Sequence, residues 1–320
     1  MIFEDLPTTP TADELLDKAF SRAERAGRAK SGIEAQESML LTASNILSDN
    51  LENIVNQWPD LNTIHPFYRN LANAIADVDA IQQNLAEISW AATKTKELGR
   101  EYQNRLSSDV ETARKMRKQG FARMASVVEE ISDELEAIND ARNQLNSLPD
   151  IQPDEPTIVV AGYPNVGKSS FVNTVTRTSI ETASYPFTTK QVHVGHFKQN
   201  HIRYQIIDTP GLLDRPDAER NDIESQAVTS LTHIADCIIF ILDASETCGY
   251  TLSSQRSLLS EIESKFTSIP ILTVCNKADL STDVDTDYYM SIKEDENVTD
   301  VLEGAINAID YEPELPYNTD

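Results

Sequence analysis

The sequence predicts an N-terminal α-helical bundle followed by an α/β domain with a mostly parallel sheet and helices on both of its faces. No proline occurs from residue 67 to residue 148, and apolar residues recur there at spacings of three and four, which is typical of amphipathic helices. After residue 156, short apolar runs alternate with helical patterns, which indicates a parallel sheet. Prolines at 149, 153 and 156 end helices and separate the two patterns. We therefore assign residues 1–155 to the helical bundle with its linker and residues 156–320 to the α/β domain.

The helical half contains two early helices and two longer periodic stretches. We predict the early helices over residues 11–29 and 33–58. In each later stretch the apolar side chains fall on one face, so that face is expected to be buried in the bundle. The apolar positions are Leu71, Ile75, Val78, Leu85, Ile88 and Ala92 in the first stretch, and Val128, Ile131, Leu135, Ile138, Leu145 and Leu148 in the second.

The α/β half shows the alternation of strands and helices that a parallel sheet requires. Each apolar run is short enough for a strand, and each is followed by a segment with helical spacing. The predicted strands cover residues 157–161, 204–207, 238–242 and 271–275, and the predicted helices cover 168–176, 222–233 and 252–266.

Length and composition predict a folded protein of the cytoplasm. A chain of 320 residues with 40 % apolar content can supply a core for each domain. The longest wholly apolar run, residues 237–242, is too short to cross a bilayer, and the N-terminus lacks the basic flank and apolar stretch of a signal peptide. We expect neither a membrane nor DNA as a partner. The three cysteines lack the spacing of zinc ligands and are expected to be small buried residues.

The net charge is strongly negative. The chain carries 52 acidic and 27 basic residues, for a formal charge of −25, and the acids are spread along its whole length. This distribution predicts a halophilic protein, because at about 1 M salt the Debye length falls to about 3 Å and self-repulsion is screened. An acidic protein that seeks basic partners is the alternative.

The stretch Gly162-Tyr-Pro-Asn-Val-Gly-Lys-Ser169 joins a predicted strand to a predicted helix and has the pattern GxxxxGK[ST] of a phosphate-binding loop. Its backbone N–H groups and the helix N-terminus are expected to face the phosphates, and Lys168 to reach the β- and γ-phosphates. Alone, the pattern also fits an ATP site. The nucleotide contacts expected here are Gly162, Asn165, Val166, Gly167, Lys168, Ser169 and Ser170.

The stretch Asn276-Lys-Ala-Asp279 follows a predicted strand and favours GTP and GDP as ligands. Guanine presents N1–H and its 2-amino group side by side, and the Asp279 carboxylate can accept both, whereas adenine lacks that pair. We expect Asn276 to brace the loops and the stem of Lys277 to lie along the purine. Further on, Ser291 and Ile292 are expected near guanine O6.

Between these two stretches, Asp208-Thr-Pro-Gly211 also stands at a strand end. We expect Mg²⁺ to be held by Ser169 and Asp208, with Thr189 favoured over Thr188 for a further position. The Gly211 N–H is expected to meet the γ-phosphate. Both segments would then be ordered by that phosphate, which makes them a switch.

Further stretches in both halves of the chain extend the pattern. They are His65-Pro-Phe-Tyr68, Gly120-Phe-Ala-Arg-Met124, Phe187-Thr-Thr-Lys-Gln-Val-His-Val-Gly-His196, Asp208-Thr-Pro-Gly-Leu-Leu-Asp-Arg-Pro216, Glu219-Arg-Asn-Asp-Ile-Glu-Ser-Gln226 and Ser245-Glu-Thr-Cys-Gly-Tyr250. With them the chain resembles the Nog (nucleolar GTP-binding) GTPases, an Obg-like branch of the P-loop GTPases. The resemblance implies a switch in assembly of the large ribosomal subunit, whose helical domain contacts ribosomal RNA. A regulatory module that recruits a protein partner, without RNA, is the alternative.

Two basic clusters are compatible with that RNA contact, although solvated or ion-paired helix faces would give the same pattern. In strong salt, phosphate contacts weaken steeply, so shape and packed contacts would have to supply the affinity. The clusters are Arg22, Arg25, Arg28 and Lys30, and then Arg114, Lys115, Arg117, Lys118 and Arg123.

The residues around the γ-phosphate predict slow hydrolysis. Leu212 follows Gly211 where many signalling GTPases have a glutamine, and an aliphatic side chain cannot orient water. Related Obg- and Era-like GTPases use a loop asparagine to bind K⁺, and Asn165 has that position, so we predict K⁺-stimulated turnover. The residues expected to act in catalysis are Asn165, Lys168, Thr189 and Gly211.

One departure from the family pattern concerns the guanine end. Only residues 280–287 separate the NKAD stretch from the next apparent strand, whereas a parallel crossover usually needs a dozen residues or more. We therefore expect a shortened crossover helix, which puts the position of Ser291 in question.

Overall fold

A computed structural model describes residues 2–3, 6–106, 109–146, 151–176, 180–183, 192–309 and 311. Within these residues, six helices precede the first strand. They are α1 (Ala12–Arg28), α2 (Gly32–Gln57), α3 (Pro66–Ile75), α4 (Val78–Asn104), α5 (Val110–Glu130) and α6 (Ser132–Leu145).

The second half of the described chain alternates strands and helices. Its elements are β1 (Thr157–Ala161), α7 (Lys168–Thr176), β2 (Ile180–Ala183), β3 (Val192–Gln199), β4 (Ile202–Asp208), a 3₁₀ helix (Asp217–Glu219), α8 (Asp222–Leu231), β5 (Cys237–Asp243), α9 (Leu252–Lys265), β6 (Ile271–Asn276), β7 (Tyr288–Tyr289) and α10 (Val298–Ala308).

Local capping sets the helix boundaries. Thr11 and Glu14 form a reciprocal capping box that starts α1. The periodic stretch that begins near residue 71 is divided in two, because the Asp77 carboxylate accepts the Ala80 N–H and starts α4 as a new helix. The later stretch is also divided, at Ile131 between α5 and α6.

The described chain forms two compact units. One comprises residues 2–64 and 76–146, and its helix α2 packs against α1, α4 and α5. The other comprises residues 65–75 and the chain from 147 onward. Helix α3, which lies within the residues 1–155 assigned to the helical bundle, belongs in this division to the unit that holds the sheet.

Helix α3 is bound to that unit by buried contacts. It packs against α8, and its residues Phe67, Tyr68, Leu71 and Ala72 are buried. The hydroxyl of Tyr68 donates to the main-chain carbonyl of Ile151, which is itself fully buried. A short helix that buries this much apolar surface is stabilised by packing more than by its own propensity.

The sheet has seven strands in the order β2-β3-β4-β1-β5-β6-β7. Strands β4, β1, β5, β6 and β7 pair in parallel, whereas β2 with β3 and β3 with β4 are antiparallel. The chain moves from β1 outward to β4 through α7, and from β5 outward to β6 through α9, in opposite directions. Because such crossovers are right-handed as a rule, this order places helices on both faces of the sheet. The predicted fold class, a mostly parallel sheet after a helical region, is confirmed.

The antiparallel edge was not predicted as strands. Strands β3 and β4 form a hairpin whose two-residue loop, Asn200 and His201, has positive φ angles of 50° and 68°. Such angles at both loop positions match the right-handed twist of the strands. The hairpin joins β3 through β4 to the parallel part of the sheet.

The sheet core positions the site. Every residue of β1 and β5 is buried. Because β1, β4, β5 and β6 are parallel, their carboxyl ends share one edge, where Gly162, Asp208, Asp243 and Asn276 stand. The three cysteines are buried and free, as small core residues. Among the described helices, none is long and apolar enough to cross a membrane.

Candidate functional site

The loop between β1 and α7 is folded around its lysine. Gly162, Asn165 and Gly167 have φ angles of 128°, 64° and 111°, so the backbone turns tightly before α7 begins at Lys168. The Lys168 ammonium is buried and donates to the carbonyl oxygens of Gly162, at 2.7 Å, and Tyr163, at 3.0 Å. The loop thus encloses a cation at a helix N-terminus, which is the arrangement that binds phosphate.

Ser169 and Asp208 meet beside this loop. The Ser169 hydroxyl donates to Asp208 Oδ2. Oδ1 of Asp208 is buried and has no hydrogen-bond partner among the described residues. Burial raises the pKa of Asp208, and the Ser169 hydrogen bond and the Lys168 charge oppose that rise. A hydroxyl and a buried carboxylate with an unpartnered oxygen are a donor set that suits Mg²⁺. Thr188 and Thr189 lie outside the described residues.

The segment after β4 has its own internal contacts. The Gly211 N–H, expected at the γ-phosphate, donates to Asp214 Oδ2 at 2.8 Å. The Gly211 carbonyl accepts from Arg215, at 3.0 Å, and the same guanidinium nitrogen lies 2.6 Å from Glu224 Oε1. Leu212, where signalling GTPases have glutamine, is fully buried. Its side chain is part of the core.

Asn276, the last residue of β6, joins the phosphate loop to the segment after β7. Its side-chain Nδ2 donates to the Val166 carbonyl at 2.8 Å, and its Oδ1 accepts from the Ile292 N–H at 3.3 Å. A Cβ at Gly167 would lie 2.2 Å from Asn276 Nδ2, so this close approach requires glycine. Asn276 thus connects the phosphate loop to the segment after β7.

A cavity of about 320 Å³ opens between these segments. It brings together predicted residues from the phosphate loop, the NKAD stretch and the segment after β7. The lining residues are Asn165, Gly167, Ser170, Asn276, Lys277, Asp279, Leu280, Ser291, Ile292 and Lys293.

Ser291 orients the carboxylate that is expected to read the base. Its hydroxyl donates to Asp279 Oδ1 at 2.7 Å, and Ser291 itself is almost wholly buried. Lys293 lies 4.0 Å from Asp279 Oδ2, on an exposed side chain. The N–H groups of Ser291 and Ile292 donate to Glu296 and Asn276, so a guanine O6 would have to share the 3.3 Å contact of Ile292.

The short connection before β7 contains no helix within the described chain. Instead, Asp287 Oδ2 accepts from both the N–H and the hydroxyl of Thr273, at 2.8 and 2.7 Å, and this fixes the start of β7 on β6. The Tyr289 hydroxyl donates to the Val284 carbonyl at 2.7 Å, and Val284 is buried. The expected shortened crossover helix is replaced by a hydrogen-bonded loop, and Ser291 still reaches Asp279.

Asp243, at the end of β5, was not predicted as a site residue. Its buried carboxylate accepts from Lys277 Nζ at 2.6 Å, and also from Ser245, Thr247 and the Cys248 N–H. Burial would raise the pKa of Asp243, but these hydrogen bonds outweigh it and lower the pKa to about 2. Asp243 thereby fixes Lys277 beside the cavity. The sequence signal that could have identified Asp243 is its position as a charged residue directly after the apolar run 237–242.

The predicted basic clusters lie in the helical unit. Helices α1 and α5 are neighbours there, since the rings of Phe20 and Phe121 stack with centroids 4.6 Å apart. Arg117 bonds Gln36 and lies over the Phe121 ring. Within the described chain, several basic side chains of these helices are exposed and have no ion pair, namely Arg22, Arg25, Lys115, Lys118 and Arg123.

Comparison with known proteins links both halves of the chain to described families. Residues 3–152 match the model of the NOG1 N-terminal helical domain, and residues 157–277 match that of the 50S ribosome-binding GTPase. An uncharacterised protein of Methanocaldococcus jannaschii is 37% identical over 289 residues, which are 87% of this chain and 81% of that protein.

Eukaryotic relatives are longer. Nucleolar GTP-binding protein 1 of Saccharomyces cerevisiae is 32% identical over 296 residues, 89% of this chain and 46% of its own length. The chain thus spans about half the length of such relatives. A crystal structure of a Plasmodium falciparum chain described as nucleolar GTP-binding protein 1 is 37% identical, with a TM-score of 0.46 over 51% of this chain and 90% of the other.

Proposed function

Because this chain belongs to the nucleolar GTP-binding protein 1 family, we propose that it is a slow GTP hydrolase that acts as a switch in assembly of the large ribosomal subunit. The GTPase-domain match covers the phosphate loop, Asp208 and the start of the NKAD stretch. The N-terminal match covers the helical domain, and contact of that domain with ribosomal RNA is part of the proposal. The proposal places the protein in the cytoplasm.

The observation that carries the choice of GTP is the carboxylate of Asp279 on the wall of the 320 Å³ cavity. Ser291 holds one oxygen of that carboxylate, and Gly167 of the phosphate loop lines the same cavity. A purine there lies within reach of the phosphate loop, and a carboxylate accepts the paired N1–H and 2-amino donors of guanine. Adenine lacks this pair of donors and would leave the carboxylate without a partner on the base, which is strongly unfavourable in a desolvated site.

Nucleotide binding tests this directly by calorimetry in potassium-rich buffer. We expect GTP and GDP to bind and ATP to bind far more weakly. Asp279→Asn should lower GTP affinity by about 100-fold, since two hydrogen bonds to a charged group are lost or weakened. The same variant should gain affinity for xanthosine triphosphate, because the 2-oxo group of that base can accept a hydrogen bond from the new amide.

The matched control is Asp283→Asn, which removes an exposed carboxylate of the following loop that does not line the cavity. It should leave both affinities unchanged. ATP held as tightly as GTP by the unaltered protein would contradict the proposal.

The phosphate chemistry is assigned to the loop and its neighbours. Lys168 exchanges its two carbonyl partners for the β- and γ-phosphate oxygens. Ser169 and Asp208 hold Mg²⁺, with Thr189 proposed as a further ligand. When bound, Mg²⁺ neutralises charge on the phosphate oxygens. The Gly211 N–H faces the γ-phosphate.

Slow turnover and dependence on K⁺ form the next part of the proposal. Leu212 is buried and cannot orient an attacking water, so the protein lacks the side chain that many signalling GTPases use. Asn165 is exposed on the phosphate loop and lines the nucleotide cavity, where its oxygen is free to bind K⁺. Single-turnover phosphate release should be faster in KCl than in NaCl of equal strength. Equal rates of phosphate release in the two salts would contradict a role for K⁺ in hydrolysis.

The exposed basic side chains of α1 and α5 are proposed as the RNA contact, because five of them have no ion pair within the described chain although the protein is acidic overall. Sedimentation through ribosomal fractions should place the protein with large-subunit precursors in GTP and release it in GDP. The double substitution Lys115→Glu and Lys118→Glu should weaken that association. Lys94→Glu, on α4 in an ion pair with Glu97, is the control. A nucleotide-dependent protein partner in ribosome-free extract would instead favour a regulatory binding module.

A further inference from the structure

The Asp214 carboxylate binds the Gly211 N–H, which is the backbone group assigned to the γ-phosphate. Its Oδ2 accepts the Gly211 N–H at 2.8 Å, and only 4% of the residue is exposed. A carboxylate and a phosphate are both anionic oxygen acceptors, and one N–H donates well to a single acceptor. Asp214 and a γ-phosphate therefore compete for Gly211.

The charges around Asp214 make this competition sharper. Burial is the largest cause of the raised pKa of Asp208, and the charge of the nearby Asp214 raises that pKa further. A γ-phosphate would bring further negative charge to the same place. Like charges in a partly desolvated site repel strongly, so the phosphate and the Asp214 carboxylate cannot both remain there without cost.

The neighbouring contacts connect Asp214 to helix α8. Arg215 binds the Gly211 carbonyl and also Glu224, which lies in the first turn of α8 and completes a capping box with Asn221. The Arg220 guanidinium donates to the Arg215 carbonyl at 2.6 Å. Displacement of Asp214 would thus act on a segment that is hydrogen-bonded up to the start of α8.

We propose that Asp214 determines the preference between GDP and GTP: it occupies the Gly211 N–H when no γ-phosphate is present and must leave it when GTP binds. This inference rests on the proposed function. Asp214 contributes nothing to recognition of the base, since it does not line the purine cavity. It lowers the affinity for GTP relative to GDP by the free energy of the bond that GTP has to break.

The test compares the dissociation constants of GDP and of a non-hydrolysable GTP analogue, with Mg²⁺, in variants of this position. Asp214→Ala removes the competitor and should raise analogue affinity relative to GDP by about tenfold, the value of one hydrogen bond to a charged group. Asp214→Asn keeps the size and an acceptor oxygen but removes the charge, so its ratio should fall between those of Asp214→Ala and the unaltered protein. It also covers the case in which the alanine variant folds poorly.

Asp217→Ala is the matched control. Asp217 is a carboxylate of the same segment, but its partners are Arg220 and Lys265. Its loss should leave the affinity ratio unchanged. An equal effect of Asp214→Ala on both nucleotides, or none on either, would overturn the inference while leaving GTP binding intact. Failure of the unaltered protein to bind either nucleotide would instead overturn the proposed function.

Discussion

The two ends of the nucleotide site are built differently. At the purine end, Asp279 and Lys277 are held by Ser291 and Asp243, which leaves both side chains on the cavity wall. At the phosphate end, Lys168 and Gly211 donate to oxygens of the protein itself. The first end is preorganised for its ligand, whereas the second has to exchange partners. This difference predicts that base recognition is independent of the switch and that only the phosphate end reports the nucleotide state.

The largest effect is expected where the two ends meet, at Gly167. Alanine there would place a Cβ 2.2 Å from Asn276 Nδ2 at a φ of +111°, so both backbone strain and a clash are added. Affinity for GTP and GDP should fall together by about 100-fold or more, from a combined cost of about 3 kcal/mol.

Gly249→Ala is the control for that strain, since Gly249 has a φ of +93° but open space around its Cβ. It should destabilise the protein by about 1 kcal/mol and leave nucleotide affinity unchanged. Equal loss of binding in both variants, measured by calorimetry, would show that the contact with Asn276 is unimportant.

Ser291→Ala sharpens the comparison by loosening the purine end alone. Without the hydroxyl at 2.7 Å, the Asp279 carboxylate loses its anchor, and affinity for GTP should drop by about tenfold. GDP should weaken by the same factor, so that the ratio of the two constants stays fixed. Ser281→Ala is the control, since the Ser281 hydroxyl accepts the Asp283 N–H and has no hydrogen bond to Asp279 among the described residues, and it should leave both affinities unchanged. A changed ratio would argue against independent ends.

Asp243→Asn tests the second anchor of the purine end through pH. The Asp243 pKa of about 2 lies below its value of about 3.8 in the unfolded chain, so the ionised carboxylate stabilises the fold above about pH 4. That contribution is lost as the pH falls from about 4 to about 2. The free energy of unfolding should therefore differ between protein and variant at pH 6, and this difference should shrink in acid. A difference independent of pH would contradict the assignment.

The smallest effect is expected at His65, beside α3. Burial, followed by the nearby His233, lowers the pKa of His65, and Asp154 opposes this. Its Nδ1 accepts the Phe67 N–H at 3.3 Å, which only the unprotonated ring nitrogen can do. The unfolded chain binds the proton more readily, so stability should decrease slightly as the pH falls through about 6.5. In His65→Gln, the free energy of unfolding measured by urea titration should depend less on pH. An unchanged pH dependence in this variant would contradict the role assigned to His65.

Sequence reasoning located the central sheet well because its strands are buried apolar runs with sharp ends. Strand β1 and helix α7 have the predicted bounds, β5 is longer than predicted by one residue at each end, and β6 is longer by one residue at its C-terminal end. Strands β2 and β3 and helix α10 were missed. In β3, the alternation of valine with histidine and glycine is a weaker signal than a continuous apolar run. The break at Asp77 was missed as well, although an aspartate in capping position was visible.

Within the site, the residues of the general motifs could be predicted, and their supporting partners could not. The motif spacing predicts which groups face a nucleotide, and these roles stay predictions. Ser291 was expected near guanine O6, but its hydroxyl binds Asp279 and its N–H donates to the Glu296 carbonyl. Asp214 and Asp243 act through side chains and N–H groups that only the folded chain brings near. Nothing in local periodicity tells which carboxylate will accept which donor.

Helix α3 has a practical consequence for dividing this protein. Its ten residues are encoded amid the N-terminal helices, yet Phe67 and Leu71 are buried in the unit that holds the sheet. A truncated fragment that starts at residue 156 would expose the surface of α8 that α3 covers and would be prone to aggregate. Any fusion of this GTPase module to another protein would need residues 65–75 as an added peptide, because the unit that holds the sheet includes this segment from the N-terminal half of the chain.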